Sequence, residues 1–506
     1  MWQQRIRSVC PVCDRTIEGM FYEEDGRVLM RKSCPEHGEV RDVASSDPFL
    51  FKGKMAIAPA ESSAGCTLEF CGGGVADCPM HVGRLSPISF IEVTPRCNLA
   101  CPVCYIDAST KGRDLPLDDF KRMVRQMKAD NPETHLILIG GEPTIHHQFF
   151  EMLDVVRDAG LMKRCYVATN GVKLSDEEFC RKVRATGLRW FYLAFDGTDK
   201  EICRKIRGSY RSYEAPRKTI ENLRKIHGSR VVLSVTVVKD VNDRDLPRIV
   251  DFALDNGDVV RRISISAEAY CGRQTSTEDL LRRRVTVECI ENVLRRGLKI
   301  GAATLSFALY GVMLKPLKLA GVIVSGAWVH TVPHPLCGGV GMVGRNPGGS
   351  CSSIIDMAIR DPARNLYRYG KRFDDLGKAM EQKHERLSRS SAGRIQWKLM
   401  CWFYYLPKYL LMLLAGLRPS FLLRVLCAAV KSVVMRKKLR DVLFAKPHVQ
   451  LHYLFACDKY NFVWDRMPFC LTHHYRLDPE TGKVVKMCGC FVVPFRNYAD
   501  SCSTLG

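Results

Sequence analysis

The chain has 506 residues, 46% hydrophobic and 26% charged, a composition that suits two to four globular domains and excludes a largely disordered polypeptide. Its net charge of +22 favours an anionic partner, such as nucleic acid, an anionic membrane surface or a phosphorylated substrate, without choosing among them. The segment Met1–Arg5 lacks an apolar signal-peptide core, so we expect a reducing cytoplasm, where most of the 23 cysteines bind metal or pack as small hydrophobes.

Residues 1–48 predict a metal-binding ribbon. Cys-Pro-Val-Cys and Cys-Pro-Glu-His flank a predicted hairpin whose turn is Asp25-Gly26. Three thiolates and an imidazole complete a tetrahedral site, and their identity does not distinguish zinc from iron. We therefore expect one mononuclear Zn or Fe ion bound by Cys10, Cys13, Cys34 and His37.

The next element, residues 49–87, carries three cysteines in a glycine-rich stretch: Cys66, Cys71 and Cys78. Glycine allows the backbone to approach an iron–sulfur cluster closely. Three cysteines are one short of an ordinary cluster, so either another segment supplies a ligand or one position stays open. A linker with incidental cysteines is the alternative.

Residues 88–275 alternate apolar strand-like runs with helical stretches, such as Leu117–Lys128 and Phe149–Ala159. This βα repetition predicts an α/β fold, a partial (β/α)6 barrel whose ligands bind at the carboxyl ends of the strands. The predicted strands are Ile88–Val93, His135–Gly140, Cys165–Thr169, Trp190–Phe195, Val231–Val238 and Arg262–Ser266.

Cys97, Cys101 and Cys104 form a Cys-x3-Cys-x2-Cys loop directly after the first barrel strand. Three thiolates suit three irons of a [4Fe–4S] cluster and leave the fourth iron free to bind a cofactor. The loop and the strand-end motifs after it, among them Gly140-Gly141-Glu142-Pro143, resemble the radical SAM superfamily.

The resemblance implies that S-adenosylmethionine (SAM) binds the free iron and is reductively cleaved to a 5′-deoxyadenosyl radical. Asp196 and Glu268 could instead cap strands or bind backbone amides. The residues that the resemblance assigns to SAM binding are Tyr105, Gly140, Gly141, Glu142, Pro143, Thr169, Asn170, Asp196 and Glu268.

Residues 276–385 are read as a barrel extension, and residues 386–445 as a basic, apolar helical segment. Positions 386–440 hold 12 Lys or Arg and no Asp or Glu. The apolar run Leu399–Leu417 is interrupted by Pro407 and Lys408, and a central lysine costs about 2.5–3.5 kcal/mol on insertion into a bilayer. We expect interfacial helices on anionic head groups, with buried tunnel helices and a true span as alternatives.

Residues 446–506 return to cysteines and close on Pro494–Tyr498. With the N-terminal ribbon and a Gly65–His81 element, this region resembles the tetraether lipid synthase branch of radical SAM enzymes, although the cysteine spacings differ from that pattern. The resemblance implies one or two auxiliary [4Fe–4S] clusters. Cys66, Cys71 and Cys78 would bind one, and Cys470, Cys488 and Cys490, with Cys457 or Cys337, would bind the other.

The main hypothesis is therefore a radical SAM enzyme that couples membrane lipid tails by forming C–C bonds. It needs a ferredoxin- or flavodoxin-type electron donor, and we expect it at the inner face of the membrane, peripherally bound and without nucleic acid. A radical SAM methyltransferase and a peptide- or RNA-modifying enzyme are alternatives. A non-catalytic iron–sulfur carrier ranks last, because it would not require the SAM-binding strand ends.

Overall fold

A computed structural model describes residues 2–57, 87–274, 279–320, 334–346, 348–359, 362–434, 448–454, 456–470, 472–478 and 481–488. The described residues divide into two compact units. The first unit comprises Met1–Pro48, Glu61–Val293 and Leu454–Gly506, and the second comprises Phe49–Ala60 and Leu294–Tyr453. Cys66, Cys71, Cys78 and Cys490 lie outside the described residues.

The N-terminal ribbon is an antiparallel sheet in the order β1-β2-β3-β4. Asp25 and Gly26 both have positive φ, 49° and 68°, as the two central residues of a tight hairpin turn require. The predicted hairpin is thus confirmed. The strands are β1 (Gln3–Val9), β2 (Thr16–Glu24), β3 (Arg27–Cys34) and β4 (Gly38–Ser45).

The barrel strands lie side by side in chain order, and each pairs in parallel with the next, which confirms the partial barrel. A further strand, β15 (Thr472–Leu477), extends the sheet in parallel with the first barrel strand, Ile88–Thr94, and β16 (Val484–Cys488) pairs antiparallel with β15. The barrel strands are β5 (Ile88–Thr94), β6 (His135–Gly140), β7 (Cys165–Thr169), β8 (Trp190–Ala194), β9 (Arg230–Val237) and β10 (Val260–Ala267).

The helices between these strands cover the outer face of the sheet, where side chains such as Ile91 and Val93 are fully buried. Local capping sets helix positions. Asp199 caps the helix Lys200–Arg207, which Gly208 ends with a positive φ of 73°. The helices of the first unit are α2 (Leu117–Asp130), α3 (Phe149–Asp158), α4 (Glu177–Ala185), α5 (Lys200–Arg207), α6 (Arg211–Lys225), α7 (Leu246–Asp255) and α8 (Leu280–Arg283).

Two helices contain a point at which the chain passes from one unit to the other: α1 (Pro48–Met55) and α9 (Val287–Leu298). The short strands of the second unit are β11 (Leu305–Ser306), β12 (Gly338–Arg345), β13 (Cys351–Ser353) and β14 (His448–Leu454). Its other helices are α10 (Phe307–Leu319), α11 (Ile354–Ala358), α12 (Pro362–Leu387), α13 (Ser391–Met400), α14 (Leu406–Gly416) and α15 (Pro419–Val434).

A π-helical turn, Cys401–Tyr405, joins α13 to α14 into one helical run, Ser391–Gly416. Among the described residues, this run alone is long and apolar enough to cross a bilayer by length and composition. It contains the predicted interruption at Pro407 and Lys408, where Pro407 occupies the first turn of α14. Proline has no N–H to donate to the preceding turn, and the π-helical turn just before it is a local departure from α-helical bonding of the kind found at such positions.

Candidate metal and cofactor sites

The four predicted ribbon ligands converge at one end of the ribbon sheet. Cys13 Sγ lies 3.8 Å from Cys34 Sγ, and His37 Nδ1 lies 3.7 Å from Cys10 Sγ and 3.5 Å from Cys34 Sγ. A tetrahedral ion with metal–sulfur bonds of about 2.3 Å holds its sulfur ligands about 3.8 Å apart. The His37 imidazole lowers the pKa of the Cys34 thiol to about 6, which favours the thiolate that a metal requires. These residues fit a mononuclear ion.

The predicted cluster loop follows β5. Cys97 and Cys101 are each 8% exposed, and Cys104 is partly exposed. In the described part of the chain, the three sulfurs do not all lie within 4.8 Å of one another, in contrast to the ribbon ligands. Burial raises the pKa of Cys97 to about 11, so a thiolate is costly here without a bound cation. This donor set fits an iron–sulfur cluster.

Two glycines let the end of β6 approach the segment before the cluster loop. An added Cβ would lie 2.3 Å from the Thr94 carbonyl oxygen at Gly140, which has a φ of +129°, and 2.1 Å from that of Arg96 at Gly141. The close approach allows Gly141 N to donate to Thr94 O at 2.7 Å and Glu142 N to Arg96 O at 2.8 Å. A side chain at either glycine would push these segments apart.

Glu142 connects the second and third strand ends. It is fully buried, and its carboxylate accepts hydrogen bonds from Thr144 Oγ1 at 2.6 Å, Thr169 Oγ1 at 2.7 Å and Asn170 N at 2.7 Å. Burial raises the pKa of Glu142, although these hydrogen bonds oppose the change. Pro143 starts the short turn that follows. Because the carboxylate is bound by protein donors, its direct contact with SAM stays a prediction.

The third strand end reaches the cluster loop through Asn170. Its Nδ2 donates to Asn98 Oδ1 at 2.7 Å and lies 3.8 Å from Cys97 Sγ. Its Oδ1 accepts from Val172 N at 3.0 Å, which fixes the orientation of the amide. Asn170 therefore joins the predicted SAM pocket to a predicted cluster ligand.

Sequence reasoning misses Arg207, which joins the fourth strand end to the loop. Its Nε donates to Asp196 Oδ2 at 2.5 Å and its Nη2 to Oδ1 at 3.1 Å. Although burial lowers the pKa of Arg207, Asp196 and the nearby Cys101 raise it above the usual range. Its only signal in the sequence is its position at the end of α5, just before Gly208, and a lone arginine there predicts no contact.

Glu268 lies directly after β10. It is 5% exposed, and Gln274 Nε2 donates to its Oε1 at 2.9 Å. Its backbone N–H donates to Val237 O at 2.9 Å, which holds the end of β10 against the end of β9. Burial raises the pKa of Glu268. The side chain therefore has a protein partner, and its contact with SAM stays a prediction.

The segment after β10 packs against the cluster loop and donates hydrogen bonds to backbone carbonyls of that loop. Arg273 N donates to Cys104 O at 2.9 Å, and its Nη1 donates to Cys101 O at 2.7 Å. At Gly272, which has a φ of +65°, an added Cβ would lie 2.4 Å from the Tyr105 carbonyl. These contacts fix the Tyr105 backbone, whereas a role for its side chain in SAM binding stays a prediction.

Three further potential ligands have ligand atoms within 4.8 Å of one another: Asp114, His146 and His147. Arg96 already binds one of them, because its Nε and Nη2 donate to Asp114 at 2.8 and 2.5 Å. Both nitrogens of His146 are also engaged, one as acceptor of a backbone N–H and the other as donor to Leu115 O at 3.1 Å. This group supports the start of the cluster loop and does not suit a metal.

The predicted C-terminal cluster ligands are only partly described. Cys470 Sγ lies 3.3 Å from the carbonyl oxygen of Thr472, and the backbone of Cys488 ends β16. Within the described ranges, neither Cys457 nor Cys470 belongs to a group of three potential ligands. The auxiliary clusters therefore stay predictions.

Two known protein families match the parts of the chain that contain these two sites. The family described as the Radical SAM superfamily matches residues 91–253, and the HMPTM N-terminal zinc ribbon domain matches residues 2–46. The first range contains the cluster loop and the strand ends through Asp196. Residues 91–253 are a radical SAM domain. The cluster loop and the ribbon thus each lie in the domain type that their ligand patterns predict.

Two relatives are similar to this chain over part of their length. A 7,8-dihydro-6-hydroxymethylpterin dimethyltransferase of Methanocaldococcus jannaschii is 34% identical over 296 residues, 56% of this chain and 57% of that protein. The Fe-coproporphyrin III synthase of Methanosarcina barkeri is 29% identical over 210 residues, 40% of this chain and 50% of that protein. The chain thus spans about half the length of the curated relatives it matches. Neither is named a lipid synthase, so the tetraether branch is unsupported.

Among solved structures, Streptococcus suis SuiB bound to precursor peptide SuiA aligns over 57% of this chain and 70% of that chain. The sequence identity is 16% and the TM-score 0.35.

Proposed function

We propose that this protein is a radical SAM enzyme that transfers a carbon group, such as a methyl group, to an unactivated carbon atom of its substrate. The observation that carries the proposal is the 34% identity with an enzyme named as a pterin dimethyltransferase. The match of residues 2–46 to the HMPTM N-terminal zinc ribbon domain adds support. The specific substrate, a pterin or another compound, is part of the proposal.

When bound, a [4Fe–4S] cluster would supply the electron that splits the sulfonium of SAM into methionine and a hydrogen-abstracting 5′-deoxyadenosyl radical. The residues around it position the reagents. Cys97, Cys101 and Cys104 would hold three irons, and the close packing at Gly140 and Gly141 sets the wall of the SAM pocket. A one-electron donor of the ferredoxin or flavodoxin type is part of this proposal.

The SAM that is cleaved leaves as methionine and keeps its methyl group, so the proposal takes the transferred methyl from a second SAM, which leaves as S-adenosylhomocysteine. The substrate assignment is tested by adding reduced, reconstituted enzyme and methyl-labelled SAM to a reduced hydroxymethylpterin. The proposal predicts a labelled pterin that is absent with the Cys97→Ala variant. Formation of 5′-deoxyadenosine without any labelled pterin would refute the pterin substrate and leave the radical SAM assignment intact.

A second candidate function is C–C coupling of lipid tails. The observation that favours it is the exposed apolar and basic helical run of the second unit, because a lipid-consuming enzyme must reach a bilayer. Coupling two tails removes two hydrogens, so the product mass equals that of both lipids less two hydrogen atoms. Lipid extracts of cells expressing the wild-type chain, compared with the Cys97→Ala variant, should then differ by this product.

The auxiliary clusters are part of the same proposal. If Cys470 binds one, the Cys470→Ala variant should still cleave SAM but lose the carbon-transfer product. A Cys470→Ala variant with full product yield would contradict a cluster at this position.

A further inference from the structure

The helical run Ser391–Gly416 exposes an unusual number of large apolar side chains. Trp402 is 61% exposed, Phe403 79% and Leu411 68%. We call the exposed set the apolar face: Ile395, Leu399, Trp402, Phe403, Tyr404, Leu410, Leu411 and Leu414. Soluble monomers rarely expose a contiguous apolar patch of this kind unless it binds something.

The opposite side of the same helical run packs into a hydrophobic core. Trp397, Cys401, Tyr405 and Tyr409 recur every four residues and are buried together. They pack against buried side chains of α12: Phe373, Leu376 and Met380. The run is therefore anchored along one side, and its exposed apolar face is a fixed part of the folded surface.

Cations accompany the apolar face. Arg394, Lys398 and Lys408 are exposed on the same run, and Lys408 Nζ lies 5.7 Å from the centre of the Tyr404 ring. Positions 386–440 contain 12 Lys or Arg and no Asp or Glu. Exposed aromatic and aliphatic side chains beside cations are typical of a helix that lies in the head-group region of an anionic membrane.

We propose that the apolar face docks on the surface of an anionic phospholipid bilayer. Trp402, Phe403 and Leu411 enter the acyl boundary, while Lys398 and Lys408 contact lipid phosphates. This proposal is independent of the choice between a pterin and a lipid substrate.

Two other occupants fit the observations less well. In a twofold dimer the same surface meets itself, so the cations of one copy would face those of the other with no acid from this segment between them. A membrane span would surround the run with lipid, whereas one side of it packs on α12, and Lys408 would lie in the hydrocarbon.

The test is sedimentation of the full-length protein with vesicles of phosphatidylcholine alone or mixed with phosphatidylglycerol. We expect binding to the mixed vesicles that weakens in high salt. The Trp402→Ser/Phe403→Ser/Leu411→Ser variant should lose at least about tenfold in partition coefficient. Because these side chains are exposed, its thermal unfolding midpoint should match that of the wild type, whereas Phe49→Ser, at a 62% exposed phenylalanine outside the apolar face, should bind normally.

The Lys398→Gln/Lys408→Gln variant separates charge from apolar contact, since it should lose the preference for phosphatidylglycerol. The proposal is overturned if wild-type protein stays in the supernatant with the mixed vesicles, or if the triple variant sediments equally well. It is also overturned if the wild type is a dimer that the triple variant dissociates. Bound protein that an alkaline carbonate wash does not release would indicate a span instead.

Discussion

Arg284 Nη1 donates to Asp458 Oδ2 at 2.7 Å, and these side chains are only 4% and 0% exposed. Asp42, on ribbon strand β4, binds the same guanidinium at 2.6 Å. One buried cation therefore joins the ribbon to the segment after β10 and to the C-terminal segment. This contact fixes the ribbon within the first unit.

Replacing Arg284 with methionine should destabilise the fold, because two buried carboxylates lose their cation. We expect the free energy of unfolding to fall by about 3–5 kcal/mol in denaturant titrations. Arg282→Met is the matched control, since Arg282 is 81% exposed and pairs with Asp279 at the surface. Equal effects of the two substitutions would contradict a structural role for the buried pair.

Lys32 should make stability depend on pH. Burial lowers the pKa of Lys32 from 10.5 to about 8. Between these values the unfolded chain binds more protons than the folded one, so the free energy of unfolding rises with pH. Lys32→Met should remove roughly 3 kcal/mol of this rise between pH 8 and 10.5. Exposed Lys128, changed to methionine, should leave the slope unchanged, and a slope retained in Lys32→Met would refute the assignment.

Glu142→Gln should weaken SAM binding. A glutamine amide has one acceptor oxygen where the carboxylate has two, so its NH2 group must face either Asn170 N or the Thr169 hydroxyl. At least one hydrogen bond to the second and third strand ends is then lost or reversed. We expect the dissociation constant of SAM, measured by calorimetry on reconstituted protein, to rise about tenfold or more. Glu133→Gln, at a 66% exposed side chain, is the control. An unchanged SAM affinity in Glu142→Gln would contradict this role.

Arg207 should raise the reduction potential of the cluster, because its side chain, 20% exposed and paired with Asp196, places a positive charge near Cys101 that stabilises the reduced, more negative state. Arg207→Met should therefore lower the potential in a redox titration followed by electron paramagnetic resonance, with iron content unchanged. Arg204→Met, at a 46% exposed arginine on the same helix, is the control. A potential unchanged in Arg207→Met, or equally lowered in Arg204→Met, would count against a direct effect.

The sequence predicts features that depend on short spacings. The ribbon ligands, the turn at Asp25-Gly26 and the barrel strands all follow from residues a few positions apart, and the structure has them where expected. Strands β6 and β7 have the predicted bounds, and the other barrel strands differ by one or two residues at their ends, as in β8, which ends at Ala194 and not at Phe195.

Contacts between distant residues are not predictable in the same way. Arg273 reaches Cys101 across 172 positions, and Arg284 reaches Asp458 across 174. A single arginine has no periodicity, so nothing near it in the sequence indicates its partner. The basic charge of residues 386–440 was evident, but only packing on α12 determines which side of that segment is exposed.

The radical SAM assignment requires that Cys97, Cys101 and Cys104 hold the cluster at which SAM is cleaved. Its most direct test is the amount of 5′-deoxyadenosine formed when reconstituted protein is reduced with dithionite in the presence of SAM. We expect 5′-deoxyadenosine from the wild type and none from Cys97→Ala. Wild-type protein that holds its iron and sulfide yet forms no 5′-deoxyadenosine, or equal amounts from Cys97→Ala, would contradict it.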